Sequence, residues 1–136
     1  MPAIAFNLNS MKVERKAPPV GKLSINSNVN ITNINMIKLN IAKEEEPALK
    51  IEFEFNTRYE KDFASILMNG DVIYIGEKKV LEKAVKDWKE KKDIDKNIKK
   101  EAMNLILARC NIAAILVARE FNLPSPIPMP RVEEKE

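Results

Sequence analysis

The 136-residue chain contains no histidine and no glutamine, a single cysteine and three glycines. Without histidine, the usual zinc ligand sets and the commonest general base are excluded. Cys110 alone cannot build an internal disulfide framework. Lying in a helical pattern with no histidine or aspartate placed to activate it, it reads as a buried structural thiol rather than a nucleophile. Gly21, Gly70 and Gly76 are too scattered to form a phosphate-cradling loop. Long apolar runs are also absent. The longest, Ile112 to Ala118, falls far short of a bilayer span, and the N-terminal segment has no basic region followed by a continuous apolar one. The expectation is a cytoplasmic protein with no membrane span, no cofactor, no metal and no catalytic residues, hence not an enzyme.

What is present is the composition of a soluble globular domain, 45% hydrophobic and 32% charged. The length suits one domain with one core, spanning residues 1–136. The net charge of +3 is concentrated locally. Residues 77–100 carry ten lysines against six acids, or +4, which leaves −1 for the rest.

Residues 1–76 alternate as strands do. The apolar parity of Ile4, Phe6 and Leu8 shifts by one at Met11 and Val13, the mark of a strand with a bulge. Pro18, Pro19 and Gly21 break the chain, and a second strand follows through Leu23, Ile25, Val29 and Ile31. Its parity then switches to Ile34 and Met36. After Glu44-Glu45-Glu46-Pro47 comes the cleanest strand, with Leu49, Ile51, Phe53, Phe55, Thr57 and Tyr59 on one face. Lys50, Glu52, Glu54 and Arg58 occupy the other. Glu52 and Glu54 could in principle do acid–base work, but with basic neighbours on a wet face they read as solvated charge. The pair Asn69-Gly70 is a strong hairpin signal. Against it, Ile66, Met68, Val72 and Tyr74 keep one parity straight through Gly70, and the single continuous strand is the preferred reading.

Residues 77–122 read as two helices. Val80, Leu81, Ala84, Val85 and Trp88 form a stripe at helical spacing, with Glu82 and Lys86 as an i,i+4 pair. A longer helix starts at an Asp93 or Asp95 cap and runs to about Phe121. On a wheel of 100° per residue, one apolar face carries Ile98, Ala102, Leu105, Ile106, Ile112, Ala113, Leu116 and Val117 and is expected to cover a sheet. A second carries Leu107, Cys110, Ala114, Ala118 and Phe121. One sheet covers one face, so Leu107, Cys110, Ala114 and Ala118 are candidate subunit contacts. The alternative is that the shorter helix or the tail covers them within the monomer. Residues 123–132 follow, with prolines at 124, 126, 128 and 130 that hold the segment extended, and 133–136 form a charged tail.

The predicted class is α+β, a four-stranded antiparallel sheet with two helices on one face. This order of elements, the two parity-shifting opening strands, the helix AMNLILARCNIAAILVAREF and the exit NLPSPIPMPRV resemble the SecB-type molecular chaperones over residues 3–132. The resemblance implies ATP-independent binding of unfolded or nascent polypeptides, and assembly through the helices as a dimer or tetramer. It also implies a proline segment that returns beside the sheet. Phe53, Phe55, Tyr59, Tyr74, Trp88, Phe121, Ile127 and Met129 are then the peptide-binding candidates, with Met36 and Met68 as adaptable apolar surface. Two other readings stand beside it. One is a dedicated adaptor for one protein partner. The other, made weaker by the interleaved acids, is a nucleic-acid module using residues 77–100.

Overall fold

A computed structural model describes residues 3–16, 24–41 and 43–127. Four strands, β1 (Ala3–Arg15), β2 (Ile25–Ile41), β3 (Glu44–Tyr59) and β4 (Ala64–Ile75), are followed by α1 (Lys78–Lys91) and α2 (Lys96–Glu120). The sheet is antiparallel throughout, in the order β1-β4-β3-β2. Thus β2, β3 and β4 form a meander, while β1 lies beside β4 at the edge opposite β2, a Greek-key arrangement. Both helices lie on one face, and the fold is α+β as the sequence predicts.

The alternation of β3 sets the two faces. Leu49, Ile51, Phe53, Phe55, Thr57 and Tyr59 are buried beneath the helices, whereas Lys50, Glu52, Glu54, Asn56 and Arg58 line the open face. On the buried face β4 adds Ile66, Met68, Val72 and Tyr74. Thr57 is tolerated there because its hydroxyl pairs with that of Ser27 on β2, at 2.9 Å. The open face is mixed, with Ile73 opposite Lys50 and Leu67 opposite Asn56 among its polar side chains, and Asp71 is buried within it. The Asp71 carboxylate, 4% exposed, accepts hydrogen bonds from the side-chain amides of Asn7 (2.8 Å) and Asn9 (2.9 Å).

Both parity shifts are bulges. The β1–β4 register slips between Leu8 and Ser10, and the β2–β3 register between Ile31 and Asn33. Each inserts one residue, so the apolar side chains on either side of it keep to the same face. Gly70 lies within continuous β4, opposite Leu8. A Cβ there would fall on the Asn7 carbonyl oxygen and 2.9 Å from Cζ of Phe53. Glycine is required by this close approach and not by a turn.

Asp95 caps α2, its carboxylate accepting from the backbone N–H of Asn97 and Ile98. At the other end Asn122 takes a left-handed φ of 54°. The Asn122 N–H then bonds the Arg119 carbonyl and the Leu123 N–H the Ala118 carbonyl, at 3.2 and 2.7 Å, a Schellman closure that turns Leu123 into the core. Pro124 follows, and its carbonyl accepts from the Tyr59 hydroxyl at 2.6 Å. The segment is not extended throughout the described part. Ser125 Oγ accepts from the Ile127 N–H and donates to the Ile127 carbonyl, closing a local bend.

The expected faces of α2 need correction. The buried row is Ile98, Ala102, Ile106, Cys110, Ala114 and Ala118, one residue in every four. Four residues overshoot a turn by about 40°, so this row drifts around the helix along its length, and its C-terminal end at Ala118 lies beside Leu123 and Ser125 of the segment after the helix. Cys110, Ala114 and Ala118 are therefore core residues whose small size lets the helix approach the sheet, not subunit contacts. Ile112 and Leu116, expected on the sheet, are instead 59% and 58% exposed. By length and composition α2 is apolar enough to cross a membrane; in this fold its buried row belongs to the core shared with the strands.

Candidate functional site

The peptide-binding candidates do not come together. Phe53, Phe55, Tyr59 and Tyr74 lie beneath the helices and are at most 5% exposed, so none can meet a client in this fold. The correction has a simple cause: strand parity places them on the helix-covered face, whose apolar side chains form the core. Met68 is buried with them, and Met36 packs against them half-buried. Ile127 is half-buried in the bend after α2, and Met129 lies outside the described residues.

Phe121 is 42% exposed at the C-cap of α2, and Leu107, alone of the subunit-contact candidates, is 38% exposed. With Ile112 and Leu116 they make α2 the helix richest in exposed large apolar side chains. Leu8 and Met11 of edge strand β1 are also exposed, at 40% and 38%. Here Arg109 reaches over the Phe6 ring, 5.1 Å from its centroid, and Phe6 stacks on Phe53 at 5.4 Å. A line of side chains thus runs from the outer surface of α2 to the core.

Trp88 occupies a different place. It is half-buried and, with Val29 and Ile31 of β2 and with Ile94 and Met103, lines a cavity of about 170 Å³ where both helices meet the β2 edge. Lys92 lies over the indole, 5.4 Å from its centroid. Asp93 joins Lys99 at 3.2 Å. The Ile94 N–H and Lys99 both hold the Asp93 carboxyl below its usual range.

Burial sets the ionisation of the titratable side chains in the core. Burial pushes the Cys110 thiol up to about 11, so it is neutral at physiological pH and shut away from solvent. Burial likewise raises Tyr59 to about 12 and raises Tyr74, the latter with help from the charges of Glu101 and Asp95. Glu52 and Glu54 share the open face and stand opposite Asp71 and Asn69 on β4; Asp71 is buried, its carboxylate held by Asn7 and Asn9. Among the described residues, no three acids or cysteines converge as metal ligands would. The lysines of α1 point to solvent, and Lys78 pairs with Glu82 at 4.0 Å.

The exposed apolar side chains of α2 and β1 leave area in water that association would bury. Ile112 and Leu116 are legible in the sequence as apolar, but helical spacing alone does not fix whether their face is covered. No known family, curated protein or solved structure matches the chain.

Proposed function

We propose that the protein is an ATP-independent holdase of the cytoplasm that binds exposed apolar segments of unfolded or nascent polypeptides and works as a homo-oligomer, without catalysis. The observation that carries this reading is the exposed pair Ile112 and Leu116, one turn apart on α2, with Leu107 and the C-cap Phe121 exposed on the other side of the helix. Isoleucine and leucine more than half exposed in mid-helix leave apolar area in water at about 25 cal/mol per Å², which association recovers. Such a surface needs no sequence complementarity in its client. In this reading Ile112 and Leu116 meet a second copy, and Leu107 and Phe121 meet clients.

The α1 lysines favour nucleic acid less. Their charge is interleaved with four acids between 77 and 90, and Trp88, the residue able to stack a base, is turned into the β2 cavity.

The test is suppression of aggregation of a chemically unfolded, unrelated protein without ATP, with light-scattering mass on the same sample. Wild type should suppress at near-stoichiometric amounts as a dimer or tetramer. The double variant Ile112→Asp/Leu116→Asp should be smaller and lose most of the effect while retaining its circular dichroism. A monomer with no effect on aggregation refutes the reading.

A further inference from the structure

We infer that the free edge of β2 is a strand-addition site for an extended polypeptide carrying one large apolar side chain at its centre. The inference concerns how a segment is bound and rests in part on the holdase reading, from which its test is kept separate.

Three observations converge on this edge. First, β2 is the outermost strand beyond β3, and no strand pairs with its other side among the described residues. Its outward N–H and C=O groups recur every two residues, and what matches that repeat is another extended backbone. Second, residues 25–37 contain no charge, no proline and no glycine. Edge strands are ordinarily guarded by lysine, proline or strong bulging. Here the single bulge lies between Ile31 and Asn33, and Ile25–Ile31 is regular. Asn26, Asn28 and Asn30 pair with Arg58, Asn56 and Glu54 on the open face, so amides rather than charges flank an incoming strand. Third, on the helix side of this same stretch is the cavity lined by Val29, Ile31, Trp88, Ile94 and Met103 together with the polar Asn30, Lys92, Asp93 and Lys99, large enough for one leucine- or phenylalanine-sized side chain.

An added strand alternates its side chains as β2 does, so every second one points toward the helix layer. At the level of Val29 to Ile31 that direction is the cavity. The rim holds Lys92 over Trp88 and the Asp93–Lys99 pair, two cations against one anion, which favours an acidic residue in the arriving segment only weakly. Strand pairing supplies backbone affinity without regard to sequence, and the cavity supplies the preference for one apolar anchor.

The probe is a fluorescent nonapeptide of alternating threonine and valine with a central phenylalanine and a terminal aspartate, titrated into the full chain by anisotropy. The same peptide N-methylated along one edge, which removes three strand-pairing donors, should bind about a hundredfold more weakly. Replacing the peptide phenylalanine by alanine should cost about tenfold. On the protein, Asn30→Lys should weaken binding with the fold intact. Hydrogen exchange should show new protection confined to amides of 25–31. Undiminished binding of the N-methylated peptide overturns the inference, as does protection that maps to α2. So does protection of 25–31 already present without peptide, whether from a second copy or from another part of the chain. Aggregation suppression lost in the α2 variant but retained in Asn30→Lys, with no peptide bound at β2, sinks this inference and leaves the holdase reading standing. Peptide protection at β2 without aggregation suppression does the reverse.

Discussion

Gly70→Ala should destabilise the protein, although Gly70 sits in a regular strand where alanine is ordinarily the better residue. In most strand interiors the change reduces unfolded-state entropy and gains about 0.4–1 kcal/mol. Here the new methyl has no room: it coincides with the backbone oxygen of Asn7 and stands 2.9 Å from Cζ of Phe53. The Asn7 oxygen belongs to β1, whose bulge lies beside Gly70, and Phe53 is clamped in the core by its stacking on Phe6. Overpacking of this kind costs about 1–3 kcal/mol beyond the entropic gain, or about 4–12 °C in Tm for a chain of this length. The control is Gly76→Ala, where the added carbon would lie 3.6 Å from Leu81 and 3.7 Å from Tyr74, ordinary contact distances. It should be neutral or slightly stabilising. Urea unfolding of both variants decides the matter. Phe53→Leu placed on the Gly70→Ala background should recover only part of the loss, because the Asn7 carbonyl cannot be removed by a side-chain change. If Gly70→Ala matches wild type, the close approach of β1 to β4 is wrong, and so is the account of why Asn69-Gly70 does not make a hairpin.

Three further outcomes are expected. Asp95→Ala should cost about 1 kcal/mol by freeing the N–H groups of Asn97 and Ile98, whereas Asp93→Ala should cost less, which thermal melts of the two variants compare. Folding raises Cys110 to about 11 from 9.0 and Tyr59 to about 12 from 10.0, so the folded state favours their neutral forms. Their contribution is complete below pH 9 and fades as pH climbs through 11 and 12. Denaturant midpoints should therefore fall over that window, less steeply in Cys110→Ala, and Ellman's reagent should label the native thiol only at the rate of unfolding. Tyr59→Phe should cost about 1 kcal/mol at neutral pH by removing the donor to the Pro124 carbonyl, and amide exchange of Leu123 should rise with it.

Much of the fold was legible before any tertiary information, because strand alternation and helix caps are local. The parity of Ile66, Met68, Val72 and Tyr74 outweighed the hairpin signal of Asn69-Gly70, since a side chain's face in a strand depends only on odd or even position. Both parity slips proved to be bulges for the same reason. The Asp95 cap and the stripe of α1, of which Leu81 and Ala84 are fully buried, were likewise written in short segments.

What tertiary structure alone decided was which apolar surface faces inward and which strands have a free edge. A helical wheel treats the contact face as a straight stripe, but α2 buries a row that drifts around it, taking Cys110, Ala114 and Ala118 inside and leaving Ile112 and Leu116 out. The candidate groove failed on the same ground: parity shows that Phe53, Phe55, Tyr59 and Tyr74 share a face, not that two helices close over it. That β1 pairs with β4 and leaves β2 at the far edge depends on contacts between residues some sixty positions apart, such as Asn7 with Asp71. Local pattern determined the elements of this protein; the seating of α2 and the pairing of distant strands determined which apolar side chains stay exposed.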